Sequence, residues 1–189
     1  MDRRLEVAVG SVAILGPGLH LGSDVLEWSS GGFTPLQLWM GYVAFASIPS
    51  LMIGLYAVQH GRVARIALAG AVLYGISFIY FAHSSLYALV ARTADYPTMW
   101  DELGGLYTAH GAMMILGGVL FGLPTLKAGV LPRWTSIVFL AGLALNAAIA
   151  ALPVDPNIQA LGNDVRNIGL IGMGVALSRP PPSPDPAAD

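Results

Sequence analysis

The chain has 189 residues, of which 55% are apolar and 11% charged, with a mean hydropathy of +0.66. A soluble domain carries about 25% charge, so this chain has too few polar groups to cover a water-facing surface, and a lipid bilayer is the expected surrounding. Nine basic and eleven acidic residues leave a net charge of −2, which points away from a nucleic-acid partner, and the lack of cysteine excludes disulfides, thiolate metal sites and cysteine nucleophiles.

A membrane-spanning helix needs about 20 mostly apolar residues. Six segments reach or approach that length, over about 5–28, 36–59, 66–91, 104–126, 134–152 and 158–177. They predict an all-α, polytopic integral membrane protein: a single transmembrane domain over 1–178, built as a six-helix bundle in a cell membrane of the bacterial inner-membrane type. The Met-Asp-Arg-Arg start superficially resembles a signal peptide. No small-residue cleavage site closes the run near Gly22, so a retained first helix is expected. Pro17 and Gly18 interrupt the first segment, and Asn163, Asp164, Arg166 and Asn167 intrude on the last. The stretch 179–189 is proline-rich and is expected to be an extended or disordered tail.

The connections assign the two sides. Arg3, Arg4, Arg62, Arg65, Lys127, Arg133 and Arg179 fall at one set of helix ends, which gathers seven of the nine basic residues there. The alternate ends hold Asp24, Glu27, Arg92, Asp95, Asp101, Glu102, Asp155, Asp164 and Arg166. Positive charge marks the cytoplasmic side, so both termini are expected there. The short basic turns HGRVAR and KAGVLPR make their flanking helices antiparallel neighbours and give the two middle pairs a faint mutual likeness. The many glycines inside apolar segments suit close helix packing, which in lipid takes the place of the hydrophobic drive.

Polar groups collect at one depth. His83 lies nine positions before Arg92, or roughly 13 Å below the outer helix end. His110 lies roughly 9 Å below its own outer end and His20 roughly 12 Å, whereas His60 sits beside the basic inner turn and is read as interfacial. His20, Asp24 and Glu27 recur at i, i+4 and i+7 and so share a helix face. Tyr80 and Tyr87 flank His83, while Tyr107 and Met114 flank His110. Trp100, Asn146, Asn163, Asp164, Arg166 and Asn167 complete the expected rim. Ionisable groups inside membrane spans are functional candidates that face the bundle interior. The pocket so predicted makes helices one, three, four and six mutual neighbours around it.

Three chemistries fit these residues. Histidines bind transition metals, and two on facing helices clamp a haem; His83 and His110 are the first candidates, with His20 in reserve and Tyr80, Tyr107 and Met114 expected against the cofactor. Buried His20, Asp24, Glu27, His83 and His110 alternatively suit acid–base isomerisation or cyclisation of an isoprenoid, sterol or quinone, with Tyr80, Tyr107 and Trp100 lining the site. A carrier, channel or partner subunit, in an oligomer or a larger membrane complex, is the third reading, although the inner half lacks polar residues to continue a path. Against all three stands a plainly structural one. A histidine hydrogen-bonded in the core, Asp24 and Glu27 in a solvated loop, and an Asp164–Arg166 ion pair would produce the same sequence. No glycine-rich phosphate loop, G-x-S-x-G elbow or mid-helix lysine is present.

Overall fold

Helix starts are set by side chains that satisfy the first free backbone N–H groups. Asp2, Thr34 and Asp95 each accept a hydrogen bond from the backbone N–H two or three residues on, at 2.9, 3.2 and 2.9 Å. In a computed structural model, which describes residues 2–152 and 158–179, the result is six helices with no strand among the described residues. They are α1 (Arg3–Ser30), α2 (Pro35–Ala57), α3 (Ile66–Ala91), α4 (Tyr96–Ala128), α5 (Arg133–Ala151) and α6 (Gln159–Ser178). Left-handed residues at Gly31, Arg92 and Gly129 end α1, α3 and α4. Most of the proline-rich stretch expected as a tail, and Asp155, lie outside the described residues.

The start of α4 differs most from the sequence expectation. Asp101 and Glu102 end the apolar run, which placed the beginning at 104, whereas capping by Asp95 and Pro97 in the first turn start the helix at Tyr96. Residue 104 is instead a kink: Gly104 has φ 55° and ψ −134°, a conformation for which only glycine is suited.

Helices adjacent in sequence pack side by side, and α6 returns against α1, so the six close a ring. The expected mutual contact of helices one, three, four and six is therefore not what forms. Within the ring, α1 packs on α2 and α6 while α3 packs on α2 and α4, because short turns hold sequential helices together and leave α1 opposite α4. The α4–α5 seam is the sparsest.

Small residues set the close seams. A Cβ on Gly117 would stand 2.6 Å from the Tyr74 nitrogen, and one on Gly174 would stand 2.7 Å from the Gly10 carbonyl oxygen. Arg3 tightens the α1–α6 closure: its guanidinium donates to the carbonyls of Leu177, Ser178 and Arg179 at 2.8, 2.9 and 2.9 Å. A cation there offsets the negative helix end and satisfies carbonyls that lack a helical partner.

The ring has a basic end, at the turns 58–65 and 129–132, and an acidic end, at 31–34 and 92–95. Toward the basic end the interior is filled by Leu51, Met52, Leu55, Phe121, Phe139 and Met173, all essentially inaccessible. Outside, Leu15, Val43, Ile79, Leu116, Ile137 and Ile168 are exposed on every helix, an apolar girdle that a water-soluble monomer rarely shows. Five helices are long and apolar enough to cross a membrane; α6, with its polar first half, is the exception.

Two outcomes test these contacts. Gly117→Leu should lower the detergent-solubilised melting stability by about 1–3 kcal/mol through overpacking, whereas Gly18→Ala, at a site open to 4 Å, should raise it by about 0.5–1 kcal/mol. At the α4 cap, hydrogen bonds from the Thr98 hydroxyl and N–H hold the Asp95 carboxyl below its usual pKa. A value depressed by folding means the cap's contribution is present above the ordinary carboxylate range and is lost as pH falls through the lowered value. Asp95→Asn should flatten that acid-side loss in melts recorded against pH.

Candidate functional site

All six helices deliver polar groups to the acidic half of the ring. On α1 the inward face carries His20, Ser23, Asp24 and Glu27. The His20 ring is 4% exposed and sits edge-on to Phe45 at 4.6 Å between centroids, with its Nε2 3.7 Å from Asp24 Oδ1. Gln37, at the start of α2, donates from Nε2 to Glu27 Oε2 at 3.3 Å and to Ser23 Oγ at 3.4 Å. Across the α1–α6 seam the carboxyl of Asp24 adjoins that of Asp164.

The α5–α6 pair supplies the rest. Gly142 and Gly162 have no side chain where Arg166 backbone and Asn146 pass, so the two helices come close. Asn146 Nδ2 then donates to Asn163 Oδ1 at 2.8 Å. One turn further on, Arg166 reaches into the centre of the ring and is only 1% exposed. Its guanidinium carbon lies 5.2 Å from the Phe78 ring centroid and 5.9 Å from that of Tyr74, in the range of cation–π attraction. Its Nη1 is 2.9 Å from Met114 Sδ, its Nε has no hydrogen-bond partner, and among the described residues no carboxylate oxygen comes within 4.0 Å of it.

Beside these groups lie two neighbouring hollows. The larger has a volume of about 330 Å³, with Phe45, Phe78, Phe81, Trp100 and Tyr107 as walls and His20, Asn146, Asn163 and Arg166 as its polar side. The smaller, about 80 Å³, reaches toward Ser23, Asp24, Glu27 and Gln37 and shares His20, Phe45, Tyr96, Tyr107 and Asn163 with the first. Thr108, Ala112, Ala150 and Ala151 line the larger hollow and are themselves exposed, so it opens sideways at the α4–α5 seam.

The histidines expected to converge do not. His20 alone lines the hollows. His83 is exposed on the outside of α3, and His110 stacks on Tyr80 at 3.9 Å between centroids and 10° between planes, on the flank of the α3–α4 pair. His110 Nδ1 donates to the Leu106 carbonyl at 2.8 Å, which spends that nitrogen on its own helix. His83 and His110 therefore bracket Tyr80 instead of facing a shared space, and the haem-clamping arrangement is not formed by them. Among the described residues no group of three or more His, Asp or Glu side chains is placed to hold a metal ion. The set His20, His83, His110 thus gains no geometric support as a metal centre.

Other expected residues are closer to their anticipated places. Tyr107, Met114, Trp100, Asn146 and Asn163 line the larger hollow, while Asn167 is buried beside His20 and Asp164 is half-buried. Arg166 lies deeper than a rim, at the centre, and it makes no ion pair with Asp164. Sequence reasoning missed Phe45, Phe78, Phe81, Ser23 and Gln37. The inward face of α3 had a readable signal, since Gly70, Tyr74, Ser77, Phe81, Ser84 and Ala88 recur at three- and four-residue steps and exclude His83.

Fold and site together define, among the described residues, a ring of six helices, five of them long and apolar enough to cross a membrane, packed at one end and hollow at the other. Comparison with family models, curated proteins and solved structures finds no match. Two substitutions check the placement of the histidines. His83→Ala should shift stability by no more than about 0.5 kcal/mol, while His110→Ala should cost about 0.5–1.5 kcal/mol through the lost stack on Tyr80, both read from detergent melts.

Proposed function

We propose that this chain is a cell-membrane protein of six crossings, with both termini cytoplasmic, that holds a lipophilic small molecule in the acidic-end pocket. The observation that carries the reading is the larger hollow, about 330 Å³ with aromatic walls and a few converging polar groups, the usual character of a small-molecule site. Its opening at the α4–α5 seam, within the apolar girdle, suits a ligand that arrives from the bilayer.

Three features support the topology. α6 is 20 residues long, about 30 Å at 1.5 Å per residue, and it packs between α1 and α5 with Arg166 and Asn167 turned inward. Seven of nine basic residues lie toward one end. Trp28, Trp39 and Trp100 stand toward the acidic end and Trp134 at the basic end, as interfacial tryptophans do.

A second reading, proton-transfer catalysis on the bound molecule, is favoured by the placing of His20 beside Asp24 at the junction of the hollows. The two separate by extraction. Solvent extracts of purified protein, analysed by mass spectrometry, should contain one enriched lipophilic species that is absent from Gly111→Phe, in which a ring fills open space at the cavity wall. If the pocket only binds, Asp24→Asn yields the same species; if it catalyses, that variant accumulates an isomer of it. No enrichment in the unmodified protein would remove both readings. For topology, the cysteine-free chain permits single-site labelling. An impermeant maleimide should label Ser30→Cys in intact cells, but His60→Cys and Arg179→Cys only after permeabilisation.

A further inference from the structure

Among the described residues Arg166 makes no ion pair within 4.0 Å. Guanidinium offers five N–H donors in a planar fork. Here one rests on a thioether sulphur, a weak acceptor, and Nε bonds to nothing. Among the described residues the carboxyls of this half have nearer neighbours: Asp24 and Asp164 adjoin each other and feel the Arg166 charge only from beyond ion-pair distance, Glu27 is held by Gln37, and Asp95 caps α4 at the surface. None approaches Arg166 within 4.0 Å. The side chain reaches from α6 to Met114 on α4. A buried charge is costly unless it is paired, and Phe78 and Tyr74 offset only part of that cost through their ring faces.

Arg166 lines the larger hollow. So does His20, whose Nδ1 is buried and also unpartnered. The remaining walls are apolar and lead from this polar corner past Phe81, Trp100 and Ile115 to the lateral opening at Ala112 and Ala150. At about 330 Å³ the hollow is at the small end of ligand pockets, which suits one alkyl or prenyl chain and not two.

We infer that the bound molecule is a single-chain amphiphile with an anionic oxyacid head, carboxylate or phosphate, and that Arg166 is the anchor of that head. This rests on the ligand-binding reading above and adds the class of ligand. The fork of Arg166 supplies paired, charge-assisted hydrogen bonds to two oxygens, His20 offers a further polar contact, and the chain lies along the aromatic wall toward the seam between α4 and α5.

The test is a head-group series on one chain length. Radiolabelled laurate, dodecyl phosphate, 1-dodecanol and dodecyltrimethylammonium are equilibrated with the full-length protein in phosphatidylcholine nanodiscs. Binding is counted as the excess over the cavity-filled Gly111→Phe protein. Laurate, dodecyl phosphate or both should bind at least about tenfold more tightly than dodecanol. Arg166→Gln should abolish that preference and Arg166→Lys should keep part of it; if neither variant folds, the series on the unmodified protein decides. Binding of laurate alone identifies a carboxylate head, and of dodecyl phosphate alone a phosphate head, and either supports the inference. Equal binding of anionic and neutral probes overturns the role of Arg166 but leaves the pocket as a lipophile site. Tighter binding of the ammonium probe also overturns it, assigning the head to the Asp24–Asp164 pair. Excess binding of none of the four overturns the pocket reading and this inference with it.

Discussion

Polar groups carried into an apolar medium must turn toward one another, and α6 is the helix on which this constraint falls hardest. Its first half holds Asn163, Asp164, Arg166 and Asn167, a set that no lipid-facing surface tolerates. Only inside a closed ring can these side chains leave the surrounding medium. The ring closes because α6 packs tightly on both sides, against α5 where Gly142 and Gly169 admit its backbone and against α1 through Gly10 and Gly174. Burial of the Arg166 guanidinium and closure of the bundle are thus one event seen from two sides.

The two halves of the ring solve the interior differently. Toward the basic end, phenylalanine, leucine and methionine side chains meet at the axis and leave no room. Toward the acidic end the helices carry alanine and glycine where α4 and α5 face each other, and aromatic rings stand around the space without filling it. A kink at Gly104 turns the first part of α4 away from the direction of the rest. Hollow and plug arise from the distribution of side-chain volume along helices whose backbones otherwise run the full length of the bundle.

Much of the architecture was readable because length and hydropathy dominate in this class of chain. The bounds of α3 lie between a basic turn and Arg92, and the sequence gives no reason to place them elsewhere. α4 was harder, since a capping aspartate starts a helix irrespective of whether the next residues are apolar. The site was readable in depth but not in direction. Counting residues puts His20, His83 and His110 at one level, yet a turn of about 100° per residue decides which enters the ring, and for His83 the answer is the outside. Arg166, Asn167 and Leu170 follow helical spacing from Asn163, so the polar stretch of α6 is a face where the sequence suggested an interruption. Phe78 and Phe81 could be read only from the spacing of small and polar residues on α3, and Phe45 carried no signal, because in a chain this apolar a wall-forming phenylalanine looks like any other.

The clasp of Arg3 on the final carbonyls of α6 bears on the order of assembly. Those carbonyls are made after every other helix, so the first helix must wait, with its guanidinium uncommitted, until the sixth is in place. Without α6, α1 and α5 lack the neighbour they share, and the side of the ring that holds Asp24 and His20 is open. The hollow is therefore complete only once α6 is docked, because Asn163 and Arg166 belong to its lining.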